Sequence, residues 1–273
     1  MSSAIIGEIA PRVYRPHARS SVQHSWRPPL ALTPGPRNAM TAPAPSPSPL
    51  LADDIDYRTC RQGAWDDCWL LSALVGLAYK RPDEVRAMIR PNGGRSYAVT
   101  FPGKGPVTVK PEQGASASNG VWVQVIEAAA CTFTDATTAR MLRFGEGITL
   151  LTGCGTKWSS NVTGAGFGAL VPLPGDDRTL DALLQTAEER RRVVVLGGSD
   201  GYWTTAKVPG IVHRHCYAIL AYESDTKHAR LRDPAGDDGR IPDRKKPGYG
   251  PGEFWLTLDE VESSFCGLAI EKR

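Results

Sequence analysis

The chain has 273 residues, 41% of them hydrophobic and 22% charged, which is enough apolar material for a packed core and excludes a disordered tail protein. A formal charge of +3, from 32 basic and 29 acidic residues, is too small to point to nucleic acid, and no apolar stretch reaches the length of a membrane span. The charge is unevenly held: residues 1–50 carry Arg12, Arg15, Arg19, Arg27 and Arg37 against Glu8, so the remaining 223 residues are nearly neutral.

Ten of the 22 prolines fall in those first fifty residues, ending in the alternating run Pro43, Pro45, Pro47, Pro49. Such a run cannot form a regular hydrogen-bonded ladder and offers little apolar surface against ordering entropy, so a disordered Pro/Arg-rich tail is expected over 1–50. Its composition also suits a transit peptide, but a basic linker is the simpler reading; Glu8 interrupts the early apolar run and argues against a signal peptide. The folded part is expected over 51–273. Cys68 to Tyr79 is almost continuously apolar and stops at Pro82, which predicts a helix buried on most sides. Ser96–Phe101 and Val107–Val109 read as short strands separated by Pro–Gly turns. Trp122, Val125, Ile126, Ala129 and Phe133 recur at helical spacing, and Thr179–Arg190 reads as a third helix before a Val193–Leu196 strand. Tyr217–Tyr222, Ala229–Leu231 and Phe254–Leu256 then read as strands, with a capping box at Thr257 starting a short helix. Helix-rich first and strand-rich second, the order predicts an α+β fold with two lobes, one over about 51–155 and one over about 156–273.

Six cysteines stand singly, with no C-x-x-C pair, which argues against zinc and against a disulfide scaffold and favours thiols in a reducing compartment, hence a cytoplasmic protein. Cys68 opens the buried helix, where unpaired N–H groups and the helix dipole stabilise a thiolate. Gln62, six residues upstream, has an amide able to donate to an oxyanion beside the N–H of Cys68. Asp66 and Asp67 oppose a thiolate, unless Asp67 is turned to cap the helix. A base is available in His215. A hairpin pairing that sets Tyr217 opposite Leu231 sets His215 opposite Asp233, where a carboxylate fixes the imidazole tautomer and leaves the other nitrogen for a thiol. His213 is the alternative base, His228 is expected to be solvated in the far turn, and Cys216 is expected to face away from His215 into the core. Cys60, Cys131, Cys154 and Cys266 read as buried small hydrophobes.

Gln62–Leu71, the Trp122–Ala129 helix, His215-x-Tyr217, Leu231–Pro234 and Gly252–Leu256 occur in the order of the calpain family of cysteine proteases, and over roughly Arg58–Ile270 the chain resembles the protease core of that family. The resemblance implies a papain-like, two-lobed fold in which Cys68 is the nucleophile, His215 the general base and Gln62 the oxyanion donor. Asp233 stands where the family has asparagine, which implies a Cys-His-Asp triad. Ala235 replaces a shielding tryptophan, and Asp66 replaces a glycine. The family's cores bind calcium; Glu127 matches one acid of that site, but Thr59 stands where an aspartate is expected and Asp237–Arg240 lacks the acidic pattern. No cofactor is therefore required, and the departures argue against calcium. The expected substrate is a protein or peptide, cut by a monomeric endopeptidase. Two other readings use the same residues: a transglutaminase-like acyl transferase, and an inactive calpain-like binding or scaffold module.

Overall fold

In the computed structural model, which describes residues 55–111, 116–134, 144–160, 179–198, 207–236 and 249–273, the apolar run after Asp67 is helix α1, Cys68–Lys80. Its leucines and alanines have good helix propensity, and eleven of its 13 residues are buried, so packing on nearly every side stabilises it. It ends where Arg81 leaves helical geometry (φ −145°, ψ 65°) ahead of Pro82. Pro82 does more than stop α1. It takes the N1 position of a second helix, α2, Pro82–Met88, where its missing N–H costs nothing.

Three short strands follow: β1 (Ile89–Pro91), β2 (Tyr97–Val99) and β3 (Val107–Val109), in a small antiparallel sheet of that order. Helix α3 covers Trp122–Phe133 as its spacing predicts, and packs on this sheet. Helix α4 (Phe144–Thr152) packs on α1. A six-stranded antiparallel sheet is built from β4 (Thr156–Ser160), β5 (Val194–Gly198), β6 (Cys216–Glu223), β7 (His228–Arg232), β8 (Glu253–Thr257) and β9 (Phe265–Glu271), in the order β4-β9-β5-β6-β7-β8. Helices α5 (Leu180–Glu189) and α6 (Leu258–Ser264) complete the mixed α+β architecture of the described residues. The Thr257 capping box is present, with both reciprocal bonds to Glu260. The predicted tail over 1–50 and Asp237–Arg240 lie outside the described residues. Among the described residues, no helix is long and apolar enough to cross a membrane.

The large sheet buries both faces, and the alternation of β6 shows how. Cys216, Ala218 and Leu220 join the core formed with α1, α3 and α4, whereas Tyr217, Ile219 and Tyr222 join a second core with α5 and α6. The hairpin register differs from the expected one. Ala218 pairs with Arg232 and Ile219 with Leu231, and a bulge between Ile219 and Ala221 shifts the pairing towards the turn. At the open end the slip is two residues, an even number, so side chains keep their faces and His215 lies diagonal to Asp233.

Buried charge fixes the helix against the sheet. Arg81 grips Glu271 with two bonds of 2.8 and 2.9 Å, and Glu271 also accepts the Val193 N–H at 3.0 Å. Lys80 reaches Glu188 at 2.9 Å. At the other end of the sheet, the fully buried Arg232 donates to the carbonyls of Cys60 (2.6 Å) and Arg58 (3.1 Å), which holds the loop before α1 against the end of β7.

Candidate active site

Three segments distant in sequence meet at the start of α1. As the first helical residue, Cys68 has an N–H without an intrahelical acceptor, and its side chain packs against the core face of the large sheet. His215 immediately precedes β6. Arg214 adopts φ 56°, a left-handed conformation that breaks the strand pleat just before it. The Tyr217 hydroxyl accepts the Val212 N–H at 2.8 Å, and the Tyr217 ring meets the His215 ring edge-on at 5.0 Å, so both the approach and the ring plane of His215 are set. Asp233 follows β7. Its Oδ1 lies 2.8 Å from His215 Nε2 and also accepts the Ala235 N–H at 2.8 Å. Asp233 carries its own turn: its N–H donates to Gly252, and its carbonyl accepts the Gly236 N–H. Gly252 (φ +74°) passes so close that a Cβ would lie 2.8 Å from the Asp233 carbonyl oxygen.

With Nε2 turned to Asp233, Nδ1 is the ring nitrogen left for Cys68, which hydrogen-bonds His215. The Cys216 thiol also bonds the Cys68 sulfur, and this is the strongest influence lowering the Cys68 pKa. Burial opposes it, the bond to His215 and its charge add to it, and Cys68 falls from 9.0 to about 5. For His215 the largest influence is burial, which disfavours the imidazolium, but the bonds to Asp233 and Cys68 overcome it and raise the ring from 6.5 to about 9. Between those values the pair is a thiolate facing an imidazolium, shielded together with a carboxylate that is only 4% exposed.

Asp67 does not cap α1; its side chain makes no capping bond. It is fully buried against Glu127 of α3, and burial followed by the charge of Glu127 raises it from 3.8 to about 10. Two carboxyl groups in contact share one proton, so Asp67 is neutral at pH 7 and the objection it poses to a thiolate disappears. Glu127 in turn accepts the Ser116 N–H at 3.0 Å, and the Ser116 hydroxyl accepts the Gly63 N–H at 3.0 Å. Asp66 is exposed, where solvent screens its charge.

Gln62 sits on the same loop. Its Nε2 donates to the Trp65 carbonyl at 2.8 Å, and its N–H donates to the Pro234 carbonyl at 2.9 Å. The second bond ties this loop to the residue after Asp233, and the first uses one of the two amide hydrogens. His213 is exposed. His228 is not solvated in a turn: it is half-buried at the start of β7, its ring 4.6 Å from that of Trp255. Among the other cysteines, Cys60 is buried and its thiol is pushed up to about 12 by burial, but Cys131 is exposed and Cys154 and Cys266 are only half-buried, unlike the expectation. No disulfide joins any of the six cysteines.

Cys216 is buried in the core, as expected; what sequence reasoning missed is that this face of the large sheet is the one α1 covers. The carboxyl pair was equally hidden, since nothing in the sequence shows Glu127 turned towards Asp67. Of the residues compared with a calcium site, Glu127 and Thr59 lie among the described residues. Glu127 is engaged with Asp67 and Ser116, and the Thr59 hydroxyl is held by Asp56 and Asn119. Among the described residues, no group of three or more His, Cys, Asp or Glu is arranged to hold a metal. No protein-family model matches the chain, and no curated protein matches it.

Proposed function

We propose that the protein is a calpain-like cysteine endopeptidase with a papain-like, two-lobed fold and a Cys68–His215–Asp233 triad. The observation that carries this reading is the contact of His215 Nε2 with Asp233 Oδ1 at 2.8 Å, together with a Cys68 thiol whose pKa is held at about 5 by hydrogen bonding from Cys216 and, against burial, by His215. The Cys68 thiolate attacks the carbonyl carbon of a peptide bond, and the carbonyl electrons move onto oxygen. The Cys68 N–H and the remaining amide hydrogen of Gln62 are the donors for that oxyanion. Imidazolium Nδ1–H protonates the departing amine as the C–N bond breaks, leaving a thioester on Cys68. Water, losing its proton to the now neutral imidazole, attacks the thioester and restores the thiolate. Asp233 holds the ring and balances its positive charge throughout.

With alanine at 235, Asp233 is still buried and accepts the Ala235 N–H. The reading implies a protein or peptide substrate, no cofactor, a cytoplasmic setting suited to unbridged thiols, and a monomer. Labelling with an electrophilic peptide probe tests it. The wild type reacts at Cys68 and Cys68→Ala does not; equal labelling of both removes the assignment. Incorporation of added amines without peptide cleavage would favour acyl transfer instead.

A further inference from the structure

The register of β6, β7 and β8 sets two cross-strand rows beside each other. Ala221, Arg230 and Trp255 stand opposite one another in the first row, and Glu223, His228 and Thr257 in the second. The rows are two residues apart along each strand, so they share one face of the sheet. Ala221 is the small member of its row and leaves a gap beside the Trp255 ring. A cavity of about 120 Å³ opens there, lined by Ala221, Glu223, His228, Arg230 and Trp255, and by Tyr249 from the segment before β8. It lies at the turn end of the hairpin, whereas His215 and Asp233 lie at the open end. The length of β6, Cys216–Glu223, puts roughly 20 Å of strand between the two places.

The charges around this cavity do not cancel. The Arg230 guanidinium donates to the fully buried Glu253 and lies over the Tyr249 ring at 4.4 Å, so its charge is matched and its position is fixed. Lys227, in the turn between Glu223 and His228, is paired with Asp181. Glu223 is the carboxylate left over. It is exposed at the rim, where it accepts the neutral Thr226 hydroxyl at 3.0 Å. Further in, the His228 ring stands edge-on to Trp255 at 4.6 Å, and its Nδ1 is buried with no hydrogen-bond partner among the described residues. In the tautomer that carries its proton on Nε2, this nitrogen offers a lone pair.

We propose that the cavity binds an alkylammonium ion, supplied by a free amine or by the end of a lysine side chain. The hydrocarbon stem lies against Ala221 and the Trp255 ring, whose π face also favours the positive head. One ammonium N–H is donated to His228 Nδ1, and Glu223 balances the charge. An anion would meet the unmatched Glu223, and a purely apolar body would leave His228 Nδ1 buried without a bond.

The inference does not rest on the triad, and its readout is binding. The full chain is titrated with n-butylammonium chloride, n-butanol and sodium butyrate at one ionic strength, and the His228 imidazole and Trp255 indole resonances are followed by NMR. Butylammonium is expected to shift both saturably, with a dissociation constant on the order of a millimolar. Butanol and butyrate should bind several-fold more weakly. Glu223→Gln, at an exposed position, should weaken butylammonium roughly threefold. Trp255→Leu should weaken it roughly tenfold. Cys68→Ala should bind as the wild type does. Nα-acetyl-lysine methylamide that binds at least as well as butylammonium assigns the site to protein lysines, and weaker binding assigns it to free amines. Butanol binding as well as butylammonium, butyrate binding better, or no saturable shift at His228 and Trp255 overturns the site. A chain that binds butylammonium but cuts no peptide contradicts the peptidase reading alone.

Discussion

Asp67, Cys68 and His215 each carry at neutral pH a charge different from that of the isolated side chain. Asp67 keeps its proton in the folded chain up to about pH 10, against 3.8 for the free group. Its folded value is raised, so the stability it contributes is fully present below pH 3.8 and is lost as pH rises towards 10. Asp67→Asn keeps the shape and removes that titration. The urea midpoint of the variant should therefore gain on that of the wild type between pH 5 and pH 8, and a constant difference would show that Asp67 is ionised. His215 holds its proton up to about 9 and Cys68 loses its own at about 5, so turnover should follow a bell between those limits. Asp233 is a main support of the upper limb. Asp233→Ala should lower kcat/KM on the order of 10²-fold and move the alkaline limb to lower pH, a shift that simple loss of folding would not produce.

At the scale of elements, the turns and ties around the triad matter more than the strands themselves. Gly252→Ala would place a side chain at φ +74° against the Asp233 carbonyl, 2.8 Å away. It should cost about 1–3 kcal/mol in denaturant unfolding and reduce activity through displacement of Asp233. Arg81→Ala leaves Glu271 buried with only the Val193 N–H, and should cost about 3–5 kcal/mol in the same measurement. The sequence is readable where one periodicity covers a whole element: α1, α3 and the strands of the β6–β7 hairpin lie within a few residues of their expected positions. It is not readable where tertiary contacts choose the residue. Gly147 looks like a helix breaker but sits in α4 because a Cβ there would lie 2.6 Å from the Trp69 carbonyl oxygen. Strand β9 contains Gly267 and is buried along most of its length, so it shows no alternation. Of the candidate site, Gln62, Cys68, His215 and Asp233 stand out in the sequence, and the structure sets His215 against Asp233. The surroundings of Cys68 do not stand out, because they depend on which face of the large sheet α1 covers.

For the whole molecule, the site is a junction between the start of α1, the entry to β6 and the exit from β7. Arg232 and Gln62 hold that junction closed from behind by bonding Cys60 and Pro234. None of the proposed steps is routed through an ion, so chelation should leave the activity intact. The most direct measurement is hydrolysis of an unfolded, casein-like protein by the wild type and by Cys68→Ala, with calcium or with chelator, across pH 4–10. The account predicts cleavage by the wild type alone, undiminished by chelator and falling away below about pH 5 and above about pH 9. Cleavage that persists in Cys68→Ala, or a wild type that cuts nothing at any pH while Cys68 alkylates like an ordinary thiol, would contradict it.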